Sequence, residues 1–311
     1  MNDARRLAAL SMACLLMTTR PGPFGPGVNV AAQQRPAFRT ETRLVVLQVT
    51  VTNGSGQLVT GLDRHAFTVS ENGRPQPITV FSRDDVPISL GLLIDNSGSM
   101  RTLRAGVEAA ALAFVRASNP MDNVFVLNFA DLPRIDVPFT SDIGVLEAGI
   151  ARVDSIGGTA LRDAILMAER YLRVHATHDR RALLVITDGN DNASQASFVD
   201  LRKVVERMNA VMFAVSLVDE RADMARRRGE DLEQMTELTG GGVDYVDSIR
   251  DIDAAVLDIA HRIRSQYTIA YTPTSQPLDG TYRAVRVKVT ASKGLTAHTR
   301  PGYWANAISS R

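Results

Sequence analysis

Leu92-Leu93-Ile94-Asp95-Asn96-Ser97-Gly98-Ser99-Met100 joins an apolar run to a loop of small polar residues. The run starts at Ile88, and so continuous a hydrophobic stretch predicts a strand buried on both faces, as in a parallel sheet covered by helices. Asp95, Ser97 and Ser99 then set one carboxylate and two hydroxyls at alternate positions of the strand-to-helix loop. Ligands bind an open parallel sheet at the carboxyl ends of its strands, so these three hard oxygen donors fall where a shared site forms.

Outward from this stretch, strands are expected at 124–129, 182–187 and 211–218, with an edge pair near 135–139 and a last strand near 243–246. Apolar residues at helical spacing, several preceded by Ser, Thr or Asp caps, predict helices at 103–116, 143–153, 160–174, 198–208, 231–239 and Ile252–Arg264. The alternation predicts an α/β fold: a doubly wound, mostly parallel sheet with helices on both faces, Rossmann-like in outline. Both flanks change period. Residues 42–51 and 66–69 read as β-branched strands, Glu71-Asn72-Gly73-Arg74 as a hairpin turn, and 267–271 and 282–289 as alternating strands. The two flanks are therefore expected to pair into a small antiparallel β-sandwich. The resulting organisation is a leader and linker over 1–35, an N-terminal β segment over 36–86, the α/β domain over 87–265, a C-terminal β segment over 266–304 pairing with the first, and a tail over 305–311.

A chain of 311 residues with 45% hydrophobic content buries at least one full core. Lys and Arg outnumber Asp and Glu by 35 to 34, and no basic stripe follows a helix face, which disfavours nucleic acid as a partner. Arg226-Arg227-Arg228 sits among acidic residues and reads as a solvated mixed-charge segment. Arg5-Arg6 followed by an apolar run to Met17 fits a signal-peptide core and is too short to span a bilayer. The expected location is secreted, periplasmic or envelope-associated, with Val30-Ala31-Ala32 as a cleavage signal and no transmembrane helix in the mature chain. Cys14 is the single cysteine, so no intramolecular disulfide forms; Ser11-Met12-Ala13-Cys14 lacks the Leu of an acylation site.

Two more loops supply oxygen donors at the same end of the sheet. Gly157-Gly158-Thr159 brings a third hydroxyl before a helix, and Leu184-Val185-Ile186-Thr187-Asp188-Gly189 ends a buried strand in a second carboxylate. Asp-x-Ser-x-Ser, the Thr after Gly-Gly and the strand-end Asp, in that order, resemble the metal-ion-dependent adhesion site of the von Willebrand factor A family. The resemblance covers 87–265. It implies that Asp95, Ser97, Ser99, Thr159 and Asp188 hold one divalent cation, Mg²⁺ with Mn²⁺ as a possible substitute, directly, through water or by hydrogen bonds to its shell. Gly61-Leu62-Asp63-Arg64-His65-Ala66-Phe67 and Arg300-Pro301-Gly302-Tyr303 look like the β extensions of a bacterial, often acidobacterial, subgroup.

The function expected from this resemblance is non-enzymatic: an exported adhesion protein that captures an Asp or Glu carboxylate of a protein partner through Mg²⁺. The alternative is an envelope scaffold in which the metal is structural. Rival chemistries find little support. Asp188-Gly189-Asn190-Asp191-Asn192 starts like a calcium loop but has Ala193 where the sharp turn needs Gly, leaving Asp191 as a solvated turn residue. His175 and His178 suit a solvent-facing helix end better than a zinc site. No Gly-x-Ser-x-Gly, catalytic triad or phosphate-loop Lys is present. Tyr267, Tyr271, Tyr282, Tyr303 and Trp304 are expected to pack the terminal β segments against the α/β domain.

Overall fold

Strand β5 (Ile88–Asp95) is buried at all eight positions: Ile88, Leu90, Leu92 and Ile94 fill one face, Leu93 with the small Ser89 and Gly91 lies on the other, and both faces are covered. The computed structural model describes residues 44–151, 156–188, 191–217, 223–274 and 279–305, without the side chains of 223–230. The expected leader, with Cys14, lies outside the described residues.

Four strands come first: β1 (Val45–Thr52), β2 (Phe67–Glu71), β3 (Arg74–Gln76) and β4 (Ile78–Ser82). Strand β5 (Ile88–Asp95) opens the alternation, followed by α1 (Arg104–Ala117), β6 (Asn123–Phe129), β7 (Pro133–Thr140) and α2 (Ile143–Ile150). Next come α3 (Leu161–His175), β8 (Arg180–Thr187), α4 (Phe198–Val205), β9 (Val211–Leu217) and α5 (Asp223–Thr239). β10 (Gly242–Val246) and α6 (Ile252–Arg264) complete this part, and β11 (Tyr267–Tyr271), β12 (Tyr282–Val289), β13 (Thr296–His298) and β14 (Gly302–Trp304) follow.

The central sheet has the order β10-β9-β8-β5-β6-β7 and is parallel except at β7, which runs antiparallel to β6. Ile88, Leu90, Leu92 and Ile94 of β5 pack with Val107 and Phe114 of α1 and Val256 and Ile259 of α6. On the other face Leu93 joins Phe125, Leu183 and, from α3, Ile165 and Leu172. Each such side chain contributes about 1.5–3 kcal/mol by leaving water. Gly91 has no room for a side chain on this second face: a Cβ would collide with the Phe125 ring and stand 2.5 Å from Leu183.

The flanks form two further four-stranded sheets, β13-β1-β11-β4 and β14-β12-β2-β3, all of whose pairings are antiparallel. Strand β12 alternates exposed and buried residues along most of its length, the mark of a sheet with one wet face. Leu47, Val49, Phe67, Val69, Ile269, Val285 and Val287 from the two sheets share one core, so they pack face to face. Chain segments from both sides of the α/β part interleave here: β11 lies between β1 and β4, and β12 lies beside β2. Asn72 and Gly73, at φ 48° and 78°, turn β2 into β3 with the left-handed backbone that Asn-Gly hairpins adopt.

Several boundaries differ from expectation. Helix α2 ends at Ile150 instead of 153, and 152–155 lie outside the described residues. Helix α4 stops at Val205, after which Arg207 N–H and Met208 N–H bond to carbonyls three residues back and tighten the turn. Helix α5 begins at Asp223 instead of 231 and includes Arg226-Arg227-Arg228, whose side chains lie outside the described residues. Strands β4, β13 and β14 are additions to the sequence reading.

Candidate metal centre

The end of β5 delivers Asp95 to a point almost closed to water, with the residue only 1% exposed. Its Oδ1 accepts the backbone N–H of Ser97 at 2.8 Å, a turn that folds the loop back over the strand end. Its Oδ2 accepts the Thr187 hydroxyl at 2.6 Å, tying β5 to the end of the neighbouring strand β8. Burial pushes the Asp95 carboxyl up to about 6, against hydrogen bonds from Thr187 and Ser97; the nearby charge of Asp188 adds to the rise. Asp188 follows directly on β8 and is partly exposed.

Beyond Asp95 the chain turns so that the Ser97 and Ser99 hydroxyl oxygens stand 3.0 Å apart. Ser97 is buried and Ser99 is exposed, so the pair runs from interior to surface. The second loop meets the first through its backbone: Gly98 N–H donates to Gly157 O at 3.0 Å. Gly157 holds φ +95°, and a Cβ there would collide with the Asp131 carboxylate, whose Oδ1 accepts Gly158 N–H at 2.6 Å. Glycine is thus required at 157 by conformation and by close approach together. Thr159, 1% exposed, is anchored to the third loop, its N–H donating to Asn192 Oδ1 at 2.8 Å and its carbonyl accepting from Asn192 N–H at 3.0 Å and Ala193 N–H at 3.1 Å.

The structure therefore gathers the three loops bearing Asp95, Ser97, Ser99, Thr159 and Asp188 at one end of the central sheet. Side-chain bonds join Ser97 to Ser99 within the first loop and Asp95 to Thr187, and Thr159 is linked to the third loop through backbone and Asn192. Four contributors escaped the sequence reading. Thr187 and Asn192 stand beside residues already singled out, Asp131 supports the Gly-Gly turn from the β6–β7 connection, and Asn96 begins a buried relay. In that relay Asn96 Nδ2 donates to Asn128 Oδ1 at 2.7 Å and Asn128 Nδ2 donates to Asp136 Oδ2 at 2.7 Å. Arg104 donates to Asn96 Oδ1 and, at 2.6 Å, to Ile150 O, so helices α1 and α2 both hold the loop.

Asp191 corrects its reading as a solvated turn residue. Its side chain is 13% exposed, pairs with Arg162 at 3.1 Å, and accepts Arg162 N–H at 2.7 Å and the Ser194 hydroxyl at 2.7 Å. It fixes the third loop to the start of α3. The His175 ring packs 4.5 Å from Tyr171, and among the described residues no three His, Cys, Asp or Glu side chains gather as a metal site. Of the terminal aromatics, Tyr267, Tyr271 and Tyr303 enter the sandwich core, while Trp304 Nε1 donates to Glu206 Oε2 at 3.2 Å across to the α/β part.

Residues 90–190, which include all five candidate ligands, match the sequence profile of the von Willebrand factor type A domain. The chain carries a von Willebrand factor type A domain. A solved structure described as a von Willebrand factor type A protein from Catenulispora acidiphila is 12% identical, with a TM-score of 0.50 over 85% of this chain and 74% of that one. That coverage extends beyond the A-type domain, and at this identity the likeness is one of fold. An aerotolerance-related membrane protein from Bacteroides fragilis is 20% identical, with a TM-score of 0.45 over 57% of this chain and 98% of that one. The von Willebrand domain of a type V pili tip protein from Porphyromonas gingivalis is 12% identical, with a TM-score of 0.47 over 58% and 95%. No curated protein matches the chain. Among the described residues no helix is long and apolar enough to cross a membrane.

Proposed function

We propose that this is an exported, non-enzymatic binding protein whose A-type domain takes an Asp or Glu side chain of a protein partner at a cation held by Asp95, Ser97, Ser99, Thr159 and Asp188. The observation that carries the reading is the gathering of three loops around Asp95, with Gly98 bonded to Gly157 and Thr187 bonded to Asp95. The donor set fits Mg²⁺. Neighbouring oxygens in an octahedron with Mg–O bonds of about 2.0–2.1 Å lie about 2.9 Å apart, close to the 3.0 Å between the two serine hydroxyls. Asp188 raises the cost of ionising Asp95, and a divalent cation offsets that repulsion.

A bound cation supplies an electrophile for a partner carboxylate oxygen. The chain's own residues supply the rest. Thr187 and Ser97 N–H orient Asp95, the Arg104–Asn96–Asn128–Asp136 relay holds the loop between helices, and exposed Ser99 marks the open side. Two carboxylates balance a divalent charge, and uncharged hydroxyls fill further positions, so a partner's acidic group retains its attraction.

Titration calorimetry with Mg²⁺ tests the site: one ion per chain is expected for the wild type, and at least a tenfold loss of affinity in Asp95→Ala and in Asp188→Ala. Partner capture from a cell-envelope extract is expected to vanish in EDTA and return with Mg²⁺. Capture that persists unchanged in EDTA overturns the adhesive reading in favour of a scaffold.

A further inference from the structure

Arg180 is a buried cation and Arg300 a half-buried one, and their described hydrogen bonds go to neutral acceptors alone. Arg180, 7% exposed, donates to Ile263 O and to Gln266 Oε1 at 3.3 Å, and its Nη1 has no hydrogen-bond partner. Arg300 donates to Gly302 O at 2.9 Å and to Glu206 O at 3.0 Å. Among the described residues neither has a carboxylate within ion-pair distance. Asp85 and Asp122 act on Arg180 from farther away, and both are engaged elsewhere, Asp85 with Arg264 and Asp122 with the N–H groups of Ile88 and Asn119. Burying a guanidinium without a counter-ion is costly, so buried charges are as a rule paired.

Both arginines line one cleft of about 610 Å³, between the outer face of the β13-β1-β11-β4 sheet and the amino-terminal ends of β8 and β9. Thr299 also lines it, and its hydroxyl is buried without a partner. Arg181 adds a third cation against Asp179, the one acidic residue of the lining. The remainder of the wall is largely apolar, and Leu44, Val46 and Val86 are left 44%, 45% and 40% exposed there. Large aliphatic side chains left this open beside uncompensated cations fit a ligand with an anionic head and a hydrocarbon tail, and the volume lies within the range of small-molecule sites. Strand β8 separates the cleft from the candidate metal centre: Arg180 is its first residue and Thr187 its last, on the order of 23 Å away at about 3.3 Å per residue.

We propose that this cleft binds a free alkyl carboxylate, its head held by Arg180, Arg300 and the Thr299 hydroxyl and its tail laid along the aliphatic wall. The site is separate from the metal centre. Titration calorimetry on the full chain with dodecanoate below its micelle concentration tests it, run with EDTA and again with Mg²⁺. One saturable site is expected, of equal affinity in both buffers. Affinity for dodecanol and for inorganic phosphate, which lack the head or the tail, is expected to be at least tenfold lower. Arg300→Met and Arg180→Met, which keep the aliphatic stem, are expected to weaken dodecanoate at least tenfold, with thermal melts checking that each variant folds; if Arg180→Met does not, Arg300→Met decides alone. No saturable binding, equal affinity for dodecanol, or dodecanoate affinity unchanged in every folded variant overturns the proposal.

Discussion

Asp95 is held in opposite directions by fold and function. It is buried and pushed up to about 6, so the folded chain prefers its protonated form, while a cation needs the carboxylate. A raised carboxyl stabilises the fold below its ordinary value of 3.8 and loses that contribution as pH rises through about 6. The difference corresponds to about 3 kcal/mol of linked stability at 1.36 kcal/mol per pH unit. Asp95→Asn, which keeps the shape and the bond from Ser97 N–H while the Thr187 hydroxyl turns to accept from the new amide, is therefore expected to match the wild type near pH 4 in EDTA and exceed it by about 2–3 kcal/mol at pH 7.5. Excess Mg²⁺ at pH 7.5 is expected to stabilise the wild type only. Urea unfolding of both proteins at the two pH values measures this, and a variant no more stable than the wild type at pH 7.5 refutes it. Gly157→Ala is expected to cost about 1–2 kcal/mol through its left-handed φ and to weaken Mg²⁺ at least tenfold by displacing the turn before Thr159. Unaltered affinity in a folded Gly157→Ala variant detaches that turn from the site.

At the scale of elements, legibility followed how many residues carried a pattern. Strand β5 and helix α6 have the expected limits because eight and thirteen residues repeat one signal. Strands β13 and β14 have three residues each, too short for alternation to stand out, and β4 is buried at Ile78 alone; pairing partners far along the chain define all three. Residues 223–230 carry mostly charge, so the first turns of α5 lacked an apolar stripe to read. At the candidate site the strand-end donors were legible by position, whereas Thr187, Asn192 and Asp131 act through contacts between loops that local spacing does not encode.

The sandwich hides one such contact in its core. Glu71 of β2, 4% exposed, accepts the hydroxyls of Tyr271 at 2.8 Å and Tyr303 at 2.7 Å and pairs with Arg283 at 3.1 Å, joining β2, β11, β12 and β14. Tyr271→Phe removes one donor to a buried carboxylate and is expected to cost about 1–3 kcal/mol at pH 8. Burial and the Glu71 bond hold the Tyr271 hydroxyl above its ordinary value of 10, so its stabilisation is present below pH 10 and lost above it, as the unfolded chain ionises. The gap between wild type and Tyr271→Phe is expected to shrink by about 1.4 kcal/mol per pH unit beyond 10. Denaturant unfolding at pH 8 and pH 11 measures it; a constant gap places the bond's contribution elsewhere.

For the whole molecule, the way the chain passes between its two parts decides whether they unfold separately. Only Ser265 and Gln266 separate α6, packed on the central sheet, from β11, the strand between β1 and β4. Arg264 at the end of α6 pairs with Asp85 on the other connection. At the far side Trp304 of β14 bonds Glu206 and lies under the Arg207 guanidinium at 4.7 Å, while the backbone at Gly240, φ +88°, passes so close to Thr299 and Arg300 that no side chain fits. Two short connections and two packed contacts leave little slack, since a sandwich built from both flanks cannot open without freeing both ends of the α/β part. One cooperative transition is therefore expected in calorimetry, with calorimetric and van't Hoff enthalpies equal. Amides of β1 and β11 are expected to exchange with the same opening free energy as those of β5, and Trp304→Ala to lower all three together. Separate transitions, or a Trp304→Ala effect confined to the sandwich strands, show instead that the A-type domain keeps its fold when the flanks come apart.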